Sequence, residues 1–165
     1  MNDKTLVVNE KDEVIGEEDK FKCHLGDGIL HRAYLVIIFN GNKVLLTKRS
    51  DKKLLWPGFW DGSIASHVRN GESYEDSARR RMKEEIGIDV DPLYLFKFEY
   101  KSKYGNIGTE HEICAVLKVR YNGQLDINPN EISEYKFVKI NELREDVKLN
   151  PEFYCPWFII ALNKI

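Results

Sequence analysis

Cysteine is scarce in this chain: Cys23, Cys114 and Cys155 are the only three in 165 residues. Their number is odd and no Cys-x-x-Cys occurs, which argues against a disulfide framework or a zinc ribbon. A reduced, cytoplasmic setting is expected. Long hydrophobic runs are also missing. The longest, Ala33 to Phe39, falls far short of the ~20 residues that cross a membrane, and Met1 to Glu10 has no apolar stretch of signal-peptide length. Nor is there an excess of one charge. The formal net charge is −2, so no field covers the whole molecule to draw in nucleic acid or an acidic membrane. Any anion site has to be a local cluster of Lys and Arg. No internal repeat, low-complexity stretch or linker divides the chain. What is present is a globular composition, 42% hydrophobic and 32% charged, expected to fold as a single domain over residues 1–165. A chain of this size hides about two-thirds of its unfolded surface without a disulfide staple. Its oligomeric state is left open.

Local patterns place the elements. Leu6 to Val8, a turn over Asn9 to Asp12, and Val14-Ile15 read as a small hairpin. Ala33 to Phe39 is β-branched and aromatic, and Asn40-Gly41 after it is a strong two-residue hairpin signal, with Val44 to Thr47 as partner strand. Leu95 to Tyr100, Ile113 to Val119 and Lys136 to Ile140 read as further strands. One helix stands out. Ser73 and Asp76 form a capping box, Tyr74, Ala78, Met82 and Ile86 make a stripe at fourfold spacing, and Gly87 sits where a glycine ends a helix. A second helix begins near Pro156, which suits a first turn, and carries Trp157, Phe158, Ile159, Ile160 and Leu162. The expected class is α/β (α+β): a mixed β centre with one middle and one terminal helix.

The chemistry-bearing residues concentrate in two stretches. The first is Gly71-Glu72-Ser73 running into Arg79-Arg80-Arg81-Met82-Lys83-Glu84-Glu85-Ile86-Gly87. A glycine–glutamate turn, a capped helix, a Glu-Glu pair and a closing glycine resemble the tail of the Nudix box, whose loop and helix bring carboxylates to a metal on a diphosphate. Two positions depart from that box: Ser66 stands where it opens with glycine, and Arg81 where hydrolytic members carry Glu. The second stretch, Trp56-Pro57-Gly58-Phe59-Trp60 through Ala65-Ser66-His67, is similar to the type I isopentenyl diphosphate isomerases, a Nudix subfamily with a Trp-Pro-Gly-x-Trp run and a Cys-x-His ending. The resemblance extends from about Leu6 to the C-terminal helix. It implies a Nudix fold, a mixed β-sheet sandwich with a box helix and a C-terminal helix. It also implies an enzyme that shifts the double bond of isopentenyl diphosphate to give dimethylallyl diphosphate.

Carried over position by position, the resemblance implies a first metal held by His24, His31, His67, Glu110 and Glu112. Glu110 and Glu112 lie two apart, so on a strand they share a face and His111 points away. By ligand hardness such a set suits Mn²⁺, Mg²⁺ or Zn²⁺. Glu85 matches the protein ligand of a second divalent ion that bridges the substrate diphosphate. Lys20, Arg49, Lys53 and Arg81 match its basic residues, bidentate Arg and point-charge Lys being suited to phosphate oxygens. Trp157 matches an indole that stabilises a tertiary carbocation through its π face, and Tyr100 a tyrosine near the reacting carbons.

One departure bears on catalysis. The family moves protons with a Glu and a Cys on opposite sides of the allyl unit. Glu112 matches the Glu, and the Cys position holds Ala65, which transfers no proton. A positioned acid or base is worth about 10²–10⁴-fold. Three readings follow: an isomerase that recruits another group, with Cys155 the nearest thiol to the hydrocarbon pocket; a Nudix hydrolase of prenyl or other small diphosphates, with Glu112 or Glu84 as base to a metal-activated water; and a protein that binds prenyl diphosphate without turnover.

Overall fold

The computed structural model describes residues 3–165; Met1 and Asn2, part of the segment read for leader character, lie outside the described residues. The strands are β1 (Lys4–Val8), β2 (Val14–Asp19), β3 (His31–Asn40), β4 (Lys43–Arg49), β5 (Trp60–Asp61), β6 (Ile64–His67), β7 (Leu93–Tyr104), β8 (Gly108–Arg120) and β9 (Ile132–Lys139). The helices are α1 (Lys20–Cys23), α2 (Tyr74–Ile86), α3 (Ile140–Leu149) and α4 (Pro156–Leu162), with a 3-10 turn at Pro151–Phe153. Among the described residues no helix is long and apolar enough to cross a membrane.

β3 is the hub of a mixed sheet. It runs parallel to β8 from His31 to Phe39, antiparallel to β6 from Ala33 to Val36, and turns through Asn40-Gly41 into β4. β4 then pairs with β9 and β5, and β8 with β7. Alternation along the strands sorts the core onto two faces, because successive side chains point to opposite sides. Tyr34, Val36 and Ile38 of β3 join Ala115, Leu117 and Val119 of β8 beneath Ala78, Met82 and Ile86 of α2. Leu35 and Ile37 join Cys114 and Val116 against Leu143 and Val147 of α3 and Trp157, Phe158 and Ala161 of α4. The sheet is thus sandwiched between helices, and the central strands are apolar on both faces, as doubly covered strands must be.

Helix α2 forms as its sequence predicts. The Ser73 hydroxyl accepts from the Asp76 N–H at 3.0 Å and Asp76 accepts in return from the Ser73 N–H. Gly87 closes the helix at φ 71°, a left-handed conformation that glycine adopts without a Cβ penalty. Helix α3 is a correction to the two-helix expectation, and Ile140, expected in a strand, opens it. Its starting residue Lys139 makes no side-chain cap, so no local start signal announces it. Its footing is tertiary, through buried Leu143 and Val147. In α4, Ile159 and Ile160 are only half-buried, while Trp157, Phe158 and Leu162 supply the buried bulk.

Candidate active site

Five expected metal ligands come together on the α4 face at one end of the sheet. His31 opens β3 directly opposite Glu112 of β8. His67 closes β6 opposite Ala33, and Glu110 shares the Glu112 side of β8. His24 arrives from the loop after α1. That loop is pinned to β8 by the Thr109 N–H, which donates to the His24 carbonyl at 2.8 Å. Gly108 makes the approach feasible, since a Cβ there would lie 2.7 Å from the same carbonyl oxygen. His111 points the other way, to Glu99 at 3.1 Å. One ligand atom from each of His24, His31, His67, Glu110 and Glu112 lies within 4.8 Å of all the others.

This set fits a divalent cation. Buried polar groups are nearly always hydrogen-bonded, yet His24 Nε2, His31 Nε2 and Glu110 Oε2 are buried without such a partner. His24 Nε2 and Glu110 Oε2 approach to 2.8 Å without the alignment of a hydrogen bond. His31 Nδ1 donates to the Ile29 carbonyl at 2.7 Å, which leaves Nε2 as the atom offered to the cluster, the arrangement usual for metal-ligating histidine. Burial, helped by the charge of His31, pushes His67 well below the ordinary imidazole range, and neutral imidazole is the ligating form. Imidazole and carboxylate together suit Mn²⁺, Mg²⁺ or Zn²⁺.

His24, His67, Glu110 and Glu112 form one wall of a cavity of about 230 Å³ lined also by Lys20, Arg49, Ala65, Tyr100, Cys114 and Trp157, with His31 buried behind them. Tyr100, opposite Glu112 in the β7–β8 register, donates its hydroxyl to Glu112 Oε2 at 2.5 Å. Burial, and then the Glu112 charge, raise the Tyr100 hydroxyl well above its usual range. Burial would also raise Glu112, but His31 and Tyr100 hold that carboxylate down to about 2. In this pair the proton therefore sits on Tyr100 Oη.

The expected diphosphate residues divide into two groups. Lys20 lines both the main cavity and an adjoining notch of about 30 Å³, which Arg81 also lines. Arg81 Nη2 contacts Glu85 Oε1 at 2.5 Å and Glu131 Oε1 at 3.3 Å, and Lys53 pairs with the same Glu131. Glu85 is buried, lies outside the five-residue cluster and is engaged by Arg81. Arg81 Nε remains buried and unpartnered. Arg49 is different. Its Nε and Nη2 donate to the carbonyls of Leu55 and Trp56 at 2.8–3.2 Å, and Nη1 is 3.6 Å from Asp61. Those bonds secure Trp56, whose φ of 48° is strained for a side chain of that bulk.

Trp157 faces the cavity with its indole N–H donating to Asp61 Oδ1 at 2.9 Å. Its ring lies 6.0 Å from Tyr100 and 5.2 Å from Trp56. Ala65 lines the cavity, as expected for the position it occupies. Cys155 does not: it is fully buried in the core, beyond the cavity lining, and burial followed by the Asp61 charge raises its thiol well above the usual range. The reading that made Cys155 a pocket thiol is therefore corrected. Cys114 is the thiol that reaches the cavity. Glu131 and Asp61 were missed by sequence reasoning. Glu131 gave no local signal, whereas Asp61, an acid amid the apolar Trp56 to Ile64 stretch, offered one.

A NUDIX domain profile matches residues 29–157. A crystal structure from Deinococcus radiodurans superimposes with a TM-score of 0.79 over 98% of both chains at 21% identity, a likeness of fold. Isopentenyl-diphosphate Delta-isomerase 1 of Photorhabdus laumondii is 40% identical, the match covering 93% of this chain and 89% of that protein. The isopentenyl-diphosphate Delta-isomerase of Halobacterium salinarum is 38% identical over 96% of this chain and 78% of that one. The chain belongs to the Nudix family and, within it, to the isopentenyl-diphosphate Delta-isomerases.

Proposed function

We propose that this chain isomerises isopentenyl diphosphate to dimethylallyl diphosphate, with Mg²⁺ or Mn²⁺ as its divalent ions. The observation that carries the reading is the Tyr100–Glu112 pair, set at 2.5 Å in the same cavity as the Trp157 ring. The diphosphate lies toward Lys20 and the Arg81 notch, with Lys53 and Glu85 behind them, and the hydrocarbon toward Trp157, Tyr100 and Ala65. Arg49 closes the cavity between these ends. When bound by His24, His31, His67, Glu110 and Glu112, a divalent ion supplies Lewis-acidic charge that increases the acidity of the Tyr100–Glu112 pair. The proton shared between Tyr100 Oη and Glu112 Oε2 is delivered through the Glu112 carboxyl to the terminal alkene carbon, and the negative charge left on the pair faces the cation formed. The indole of Trp157 faces the tertiary cation that results, an attraction worth about 2 kcal/mol or more where water is excluded. A proton then leaves toward the Ala65 side, where water takes the place that a thiol would fill.

Hydrolysis is the less supported reading. Glu84, its alternative base, is bound by Arg80 and Arg81 on the outer side of α2, and does not line the cavity.

Proton NMR of the purified chain with isopentenyl diphosphate, Mg²⁺ and Mn²⁺ in D₂O tests the proposal. Deuterium incorporation with formation of dimethylallyl diphosphate is expected, and Glu112→Gln is expected to lower turnover by about 10²–10⁴-fold. Released phosphate without isomerisation would make the chain a hydrolase. Binding without any product would make it a diphosphate-binding protein.

A further inference from the structure

Asp61 is a buried carboxylate, 2% exposed, for which the proposed reaction has so far given no role. Such a charge is costly unless its oxygens are occupied, and here they are. Oδ1 accepts from the Gly62 N–H at 2.7 Å and from the Trp157 indole N–H at 2.9 Å. Oδ2 is 3.6 Å from Arg49 Nη1. The Arg49 guanidinium in turn lies 5.3 Å over the Trp157 ring and grips the strained Leu55-Trp56 segment. Asp61 does not line the cavity, while Arg49 and Trp157 both do. It sits behind the cavity and touches the residues that close it. Residue 61 is on β5, whereas Trp157 lies in the first turn of α4, so this hydrogen bond ties the sheet to the helix that carries the indole.

We propose that Asp61 is the positioning residue for the hydrocarbon end of the site, a role that rests on the isomerase reading: it fixes the plane of the Trp157 indole toward the cationic carbon. Two physical consequences follow. An indole whose N–H is held has one orientation, and cation–π attraction depends on the cation lying over the ring face. Arg49, which lies over the ring at 5.3 Å, is held by backbone carbonyls and has its charge partly offset by Asp61. Asp61 thus acts on the cation more than on the diphosphate, which lies toward Lys20 and Arg81 at the other end.

The test uses the full chain labelled with 5-fluorotryptophan, which reports on Trp56, Trp60 and Trp157 by fluorine NMR, with Trp157→Phe assigning the signal. It also compares two ligands in the presence of Mg²⁺: inorganic diphosphate, and a five-carbon diphosphate with a tertiary ammonium nitrogen in place of the cationic carbon. In Asp61→Asn we expect the Trp157 resonance to shift or broaden and affinity for the ammonium compound to fall by about tenfold, while affinity for inorganic diphosphate changes less than about twofold. In the Trp157→Phe background the same substitution should have no further effect. Should Asp61→Asn fail to fold, Asp61→Ser carries the same measurements. An equal loss for both ligands, or an unmoved Trp157 resonance, overturns the proposal. Because these are binding readouts, the two failures are distinguishable: a wild-type chain that binds the ammonium compound but makes no dimethylallyl diphosphate would sink the isomerase reading, while the Asp61→Asn measurements alone decide whether Asp61 positions the indole.

Discussion

Two clusters of charged side chains stand in opposite states, one lining the main cavity and the other reaching only its adjoining notch, through Arg81. The His24, His31, His67, Glu110 and Glu112 set has buried atoms with no hydrogen-bond partner. The Lys53, Arg81, Glu85 and Glu131 set is largely neutralised from within, with Arg81 Nε its only buried orphan. The first is incomplete until a ligand arrives, so binding there satisfies groups that folding left costly. The second has to loosen internal pairs before it takes an anion, so its ion pairs moderate affinity. Under the proposed function the cation is therefore expected to bind more tightly than the diphosphate.

The largest effect is expected at residue 65, on the wall of the main cavity. Ala65→Cys returns a thiol to the cavity wall and should raise isomerase turnover by about 10²–10⁴-fold, read by the deuterium assay; no gain would mean that the proton path runs elsewhere. Next comes the metal cluster. Loss of outer-shell partners alone costs about 10–100-fold in metal affinity, so His67→Ala should weaken Mn²⁺ binding at least that much by calorimetric titration, with little effect on Lys53 and Arg81. Chelation of the resident ion should lower stability by about 2.7 kcal/mol when the ion was present at ~100 times its dissociation constant. A midpoint that does not respond to chelator would show that the orphaned atoms need no ion.

The smallest effect is expected at Glu131. Burial would raise its carboxyl, but Lys53 and Arg81 outweigh that and hold it down to about 2, from 4.5. A carboxyl depressed by folding contributes stability that is complete above pH ~4.5 and is lost as pH falls toward ~2. Glu131→Gln should therefore flatten the acid limb of the stability curve in that window. It should also tighten inorganic diphosphate several-fold at neutral pH, since partly exposed ion pairs are worth about 0.2–1 kcal/mol each. Weaker diphosphate binding would mean instead that Glu131 holds the two cations in their working geometry.

Much of this was legible in the sequence, for reasons of range. Helix α2 was readable because Ser73, Asp76 and Gly87 cap it through contacts within a few residues. The faces of β8 were readable because alternation decides them, which put Glu110 and Glu112 together and turned His111 away. Helix α3 was hidden because it lacks a capping side chain. The short strands β5 and β6 were hidden because elements of two and four residues have no room for a pattern. The error at Cys155 has the same origin: adjacency to Pro156 and Trp157 in the chain said nothing about which way its thiol points, and the start of α4 turns it into the core.

By itself the sequence determined the box helix, carried by residue identity at short, fixed spacing, and through its resemblance to the isomerases it pointed to the family, the candidate metal ligands and the absence of a thiol at Ala65. Only the tertiary structure decided the partners across the molecule: Glu131 against Lys53 and Arg81, Asp61 beneath Trp157 and Arg49, and Tyr100 on Glu112. Those pairs join residues 12 to 96 positions apart. Bonds over such distances are fixed by strand register and helix packing, which local preference does not encode.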